Sequence, residues 1–216
     1  MPPEAAPERP RALLLDAMGT LIGLRRSVGH TYAAVAEEHG LAVEAAAIDR
    51  TFPAVYRQAP PLAFPGLQGT ALEEAERQWW GERIEETLQR AGGVSAPAEL
   101  RRALFDRFAD PALWQVYGDV PPCLERWTSA GLRLAVVSNF DQRLLPLLEG
   151  LGLGRWLEVV VVSSAAGAAK PSPVPFRQAL ERLGVEPRHC WHVGDSREDA
   201  LGAAAAGLRS IRIERP

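Results

Sequence analysis

Lysine and asparagine are all but missing from this chain. Of its 24 basic side chains 23 are Arg, leaving only Lys170; Asn139 is the sole asparagine, and Met18 the sole methionine after the first residue. Cysteine is nearly as scarce. Cys123 and Cys190 fall on stretches that read as a helix and a buried strand, so free thiols packed as small apolar groups are expected and a disulfide framework is excluded. No apolar run approaches the ~18 residues that span a bilayer, and the opening MPPEAAPERPR lacks an apolar secretory stretch. Nor is there an excess of positive charge for nucleic acid: 24 basic residues face 27 acidic ones, a formal net charge of −3. These absences predict a cytoplasmic protein that binds neither membrane nor nucleic acid. Arg and Lys are interchangeable on a solvated surface, but only Lys places a compact point charge, so the position of the lone lysine carries information.

What is present is a series of short, continuous apolar runs at 12–15, 132–137, 159–162, 191–193 and 210–213. Such runs read as strands buried on both faces, as in a parallel sheet. The later runs are separated by ordinary crossover lengths, but roughly 115 residues lie between the first and the second. The pattern predicts an α/β fold, a doubly wound (Rossmann-like) parallel sheet formed by residues 1–22 and 112–216. Residues 23–111 are expected to form an all-helical cap inserted after the first strand, with helices at 28–39, 43–58, 71–91 and 96–108 and a Pro/Gly-rich loop at 60–69. Further helices are expected at 142–151, 173–183 and 198–206. Tyr56, Arg57, Gln78, Trp79 and Trp80 are the insert's candidates for substrate contact, each read first as a packing or surface residue, and His192, inside the fourth run, reads as a core histidine.

In doubly wound sheets ligands bind beyond the carboxyl ends of the strands. Those ends read Asp16-Ala17-Met18-Gly19-Thr20, Ser138-Asn139, Lys170-Pro171 and Gly194-Asp195-Ser196-Arg197-Glu198-Asp199. Each piece alone is as well explained by a turn or a helix cap. Together they share one theme. Asp16 and Asp195, brought close, repel unless a divalent cation lies between them, and hard carboxylate oxygens suit Mg²⁺. A cation and Lys170 would neutralise a phosphate. Ser138, the amide of Asn139 and the main-chain N–H groups of the Met18–Gly19–Thr20 turn could then cradle its oxygens.

With these four motifs in order and a helical stretch after the first, the sequence resembles the haloacid dehalogenase-like hydrolase superfamily over nearly its whole length. The resemblance implies that Asp16 is the nucleophile and that Ser138 and Lys170 bind the transferred group. It implies further that Mg²⁺ is held by Asp16, Asp195, Asp199 and the main-chain carbonyl of Met18. The substrate would be a small phosphorylated molecule.

One position departs from the pattern. The phosphatases of that superfamily carry a second Asp two residues after the nucleophile, as general acid and then base; here it is Met18, and a thioether moves no proton. A positioned acid/base is worth about 10²–10⁴-fold. Three readings follow: a Mg²⁺-dependent phosphohydrolase that is slow or restricted to good leaving groups; a metal-independent 2-haloacid dehalogenase, whose first motif resembles Asp-Ala-Tyr-Gly-Thr; and a non-catalytic phospholigand-binding or interaction protein. The dehalogenase reading needs a cap arginine to hold the substrate, for which Arg57 is the candidate. Gly194-Asp195 stands against it.

Overall fold

The computed structural model describes residues 9–215. Its centre is a five-stranded sheet formed by β1 (Ala12–Leu15), β4 (Arg133–Ser138), β5 (Val159–Val162), β6 (Cys190–Gly194) and β7 (Arg209–Arg212), in the order β5-β4-β1-β6-β7. Every pairing is parallel: Leu15 lies opposite Val136 on one side and Val193 on the other. Residues Ala12 to Leu15 are at most 4% exposed, which is why β1 reads as an unbroken apolar run rather than an alternating one.

The pleat divides that run between two cores. Leu13, Leu15, Leu134 and Val136 face one layer, with Leu124 of α5 (Val120–Ser129) and Leu144 and Leu147 of α6 (Leu144–Gly150). Leu14, Ala135 and Val137 face the other, with Phe176 and Leu180 of α8 (Val174–Leu183) and Ala203 of α9 (Arg197–Ala205). Because β1, β4 and β6 all run the same way, Asp16, Ser138 and Asp195 arrive at one edge of the sheet.

Ahead of α5, the chain between β1 and β4 forms four helices, α1 (Val28–Glu38), α2 (Ala45–Gln58), α3 (Gly69–Gly92) and α4 (Ala98–Arg107), each within two residues of its expected bounds. They share an apolar cluster of their own, including Tyr32, Val35, Ile48, Leu88, Leu100 and Leu104. Gly29 lets α1 meet α2 closely, since a Cβ there would lie 2.0 Å from the carbonyl oxygen of Ala45. Two short strands were not expected: β2 (Ile22–Leu24) pairs antiparallel with β3 (Trp114–Val116), flanking the helices on either side. Gly23, read as the start of the helical stretch, thus sits in a strand. Three-residue strands are too short to leave a period, and a Cβ at Gly23 would lie 2.5 Å from the Tyr117 hydroxyl, so a larger residue there would have to displace that side chain. A one-turn helix, α7 (Ser163–Ala166), also follows β5 unannounced.

Cys123 and Cys190 are free, and burial pushes the Cys190 thiol up to about 12. Among the described residues no helix is long and apolar enough to cross a membrane.

Candidate active site

Asp16 leaves the end of β1 5% exposed. Its Oδ1 accepts from Ser138 Oγ at 3.2 Å and from Lys170 Nζ at 2.5 Å. The same ammonium donates to Asp199 Oδ1 at 2.6 Å and to the carbonyl of Val137 at 3.1 Å. Three acceptors thus meet the three donors of one buried ammonium, an arrangement a planar guanidinium could not copy. Burial alone would lower the Lys170 pKa, but Asp16 and Asp199 outweigh it and raise it above the ordinary lysine value.

Asp199 stands at the third position of α9, in a capping box. Its main-chain N–H donates to Ser196 Oγ, while its Oδ2 accepts from the Ser196 hydroxyl at 2.5 Å and from the Ser196 N–H at 3.2 Å. Oδ1 accepts from His192 Nε2 at 2.9 Å as well as from Lys170. Burial opposes the Asp199 charge, but the bonds from His192, Lys170 and Ser196 hold its carboxyl well below the usual range. Expected as a metal ligand, Asp199 has both oxygens engaged by protein donors and acts as the seat of Lys170. His192 is fully buried as expected, but only Nε2 has a partner; Nδ1 has none among the described residues.

Asp195 is half-buried, and burial, followed by the neighbouring Asp16, raises its carboxyl above the usual aspartate value. Carboxylate oxygens of Asp16, Asp195 and Asp199 lie within 4.8 Å of one another. Gly19 makes room for this approach: its φ is +84°, and a Cβ would fall 2.4 Å from Asp195 Oδ2.

The turn after Asp16 differs from expectation. The N–H of Gly19 donates to the Ile22 carbonyl and that of Thr20 to the Ala17 carbonyl, so both stabilise the turn instead of pointing at an anion. Thr20 is buried, and its hydroxyl has no partner among the described residues. The Met18–Ile22 bridge uses the carbonyl of Ala17 and the N–H of Gly19, leaving the Met18 carbonyl outside it. Asn139 is likewise committed: its Oδ1 accepts from the Lys170 N–H at 2.7 Å and its Nδ2 donates to the Lys170 carbonyl at 3.1 Å. The side-chain amide thus fastens the lysine loop. Arg57 is not brought to the site; it is exposed on α2, with Nε donating to the Pro53 carbonyl.

Beside the carboxylates, between the end of β4 and helices α1 to α4, lies a cavity of about 210 Å³ reached by Met18 and Asn139. Eight of the chain's 15 aromatic residues line it, Tyr56, Trp80, Phe105 and Trp114 among them. Trp80, read from the sequence as packing, is therefore a wall residue. Sequence reasoning also missed Arg143. Its Nε and Nη2 donate to the two oxygens of buried Asp141 at 2.8 and 2.7 Å, and Nη1 donates to the Phe105 carbonyl at 2.5 Å. Trp80 Nε1 donates to the same carboxylate at 2.6 Å, so this cluster ties α3 and α4 to the loop after β4. Glu76 of α3 adds to the tie by accepting from the N–H of Gln142 at 3.2 Å, and burial raises its carboxyl. The available signal was an Asp-x-Arg step directly after Ser138-Asn139-Phe140.

A family model described as haloacid dehalogenase-like hydrolase matches residues 10–207. The chain belongs to this family of hydrolases. It is 41% identical to mouse haloacid dehalogenase-like hydrolase domain-containing protein 3 over 206 residues, 94% of this chain and 81% of the relative. A more distant relative is phosphoglycolate phosphatase 1 of Pseudomonas aeruginosa, 33% identical over 163 residues, 70% of this chain and 60% of the other. In fold it is similar to the L-2-haloacid dehalogenase of Xanthobacter autotrophicus, with a TM-score of 0.70 at 22% identity, covering 94% of this chain and 77% of that one.

A haloacid dehalogenase-like hydrolase is commonly built for Mg²⁺, and the donor set suits a hard cation. Asp16 and Asp195 are two carboxylates at close quarters, one raised by the other's charge, and the Met18 carbonyl is unused by its turn.

Proposed function

We propose that this hydrolase is a Mg²⁺-dependent phosphohydrolase that transfers phosphate to Asp16 and acts slowly, or only on good leaving groups. The reading is carried by the side chain of Met18, which is 47% exposed and forms part of the wall of the aromatic cavity, where a leaving group would sit. Asp16, Asp195 and the Met18 carbonyl would hold Mg²⁺, which supplies positive charge to the phosphate oxygens. Lys170 and Ser138 both donate to Asp16 Oδ1 and so orient the carboxylate. The other carboxylate oxygen attacks phosphorus; the bond from phosphorus to the leaving oxygen breaks, and the electron pair departs on that oxygen. Met18 has no proton to give, so the oxygen leaves as an anion. Water then attacks phosphorus, releasing inorganic phosphate and restoring the Asp16 carboxylate, without a base at position 18.

The dehalogenase reading loses its candidate arginine, because Arg57 lies away from the cavity. The test is Mg²⁺-dependent phosphate release from an aryl and an acyl phosphate, set beside halide release from a 2-haloacid. Slow phosphate release, abolished by Asp16→Asn and by chelator, is expected. Halide release that persists in chelator would overturn the proposal, and silence on every substrate with tight phosphate binding would favour a phospholigand binder.

A further inference from the structure

Resting on the phosphohydrolase reading, we infer that the group released from phosphate carries a single aromatic ring with no charged substituent, seated in the cavity beside Met18. The cavity concentrates aromatic side chains to a degree that the chain's 7% aromatic content does not explain. Its rings are ordered among themselves: Phe52 stacks near Tyr56 at 5.9 Å between centroids, and Tyr56 stacks near Trp80 at 6.1 Å. Such faces and edges favour another ring over an aliphatic chain.

Size fits the same occupant. An apolar cavity of about 150 Å³ holds benzene, and this one is about 210 Å³. A phenyl group with its linking oxygen fills such a space.

Charge is excluded by the state of the cations. Among the described residues the guanidinium of Arg143 is the only cationic group on the wall, and all three of its nitrogens already donate, two to Asp141 and one to the Phe105 carbonyl. Lys170 is equally saturated by Asp16, Asp199 and the Val137 carbonyl. A carboxylate on the ring would enter an aromatic chamber whose one cation is already paired with Asp141, a costly burial. Chemistry agrees with shape. With Met18 in place of an acid, the leaving oxygen must depart unprotonated, and phenols and aromatic carboxylic acids do so far more readily than alcohols.

Benzoyl phosphate and acetyl phosphate test this, because both are acyl phosphates and differ in the ring; phosphoglycolate serves as the charged control. With Mg²⁺ and the full chain, kcat/KM for benzoyl phosphate is expected to exceed that for acetyl phosphate at least tenfold, mainly through KM, with phosphoglycolate below both. Val28→Trp, which places an indole on the cavity wall, should shrink that ratio. Phenol binding followed by saturation-transfer NMR gives a readout free of catalysis, and the indoles of Trp80 and Trp114 should lie on the side that contacts it. Equal turnover of the two acyl phosphates, or no phenol binding, overturns the inference while the phosphohydrolase reading stands. Phenol binding with neither ester hydrolysed supports the aromatic seat and sinks the phosphohydrolase reading instead.

Discussion

The only asparagine of the chain holds the only lysine: the Asn139 amide accepts the main-chain N–H of Lys170 and donates to its carbonyl. The two residues lie 31 positions apart, Asn139 directly after β4 and Lys170 in the loop beyond α7, which follows the neighbouring strand β5. The loop after β5 is thereby pinned at the point from which Nζ reaches Asp16.

Removing that clasp should cost both stability and catalysis. Asn139→Ala leaves two main-chain groups without their partner, at about 1–3 kcal/mol for each group left unsatisfied. Urea denaturation should show the loss, and phosphate release should fall at least tenfold because the ammonium no longer sits at 2.5 Å from Asp16 Oδ1. A wild-type rate in this variant would contradict the role given to Asn139.

Met18→Asp should raise turnover, by up to about 10²–10⁴-fold for an ester with a poor leaving group. The gain should be smaller for an aryl phosphate, which needs the proton less. Because Met18 is 47% exposed, the new carboxyl meets water and the fold should lose little. Steady-state rates on an alkyl and an aryl phosphate, measured side by side, provide the check.

Arg143 and Asp141 make a buried pair, with side-chain exposures of 11% and 0%. Arg143→Met would strand the carboxylate, and breaking a buried pair from one side costs about 3–5 kcal/mol. Adding Asp141→Asn should recover much of that loss. Denaturant midpoints of the two single variants and the double variant test the coupling; simple additivity would refute it.

Acid should destabilise the protein through Asp199. Its folded pKa lies below the unfolded value, so the unfolded chain takes up the proton first as pH falls. The stabilisation is complete above the ordinary aspartate pKa of about 3.9 and is lost progressively below it. Ser196→Ala removes a hydroxyl donor from Oδ2 and should flatten this slope. Urea midpoints between pH 6 and pH 3 would reveal the difference.

Much of this was legible in the sequence, for physical reasons. Runs such as 12–15 and 159–162 match β1 and β5 residue for residue, because strands buried on both faces cannot hide their hydrophobicity. The strand-end motifs singled out Asp16, Ser138, Lys170 and Asp195, which the fold brings together, because polar groups after apolar strands stand out. What the pattern could not carry was direction. Nothing in Asn139 or Asp199 says which atoms are already taken, and their side chains turn out to serve Lys170. Arg143 escaped because an ion pair between a helix and a loop leaves no period, and Trp80 reads first as packing because an indole on a cavity wall looks like one in a core.

The chain's one lysine has a side chain only 3% exposed, held by three acceptors. The folded molecule therefore presents no side-chain amine to solvent over residues 9–215. An amine-reactive reagent can modify that part of the chain only after the site opens. The labelling rate of Lys170 thus becomes a single-residue clock for the opening of the pocket around Asp16, with no surface lysines to blur it.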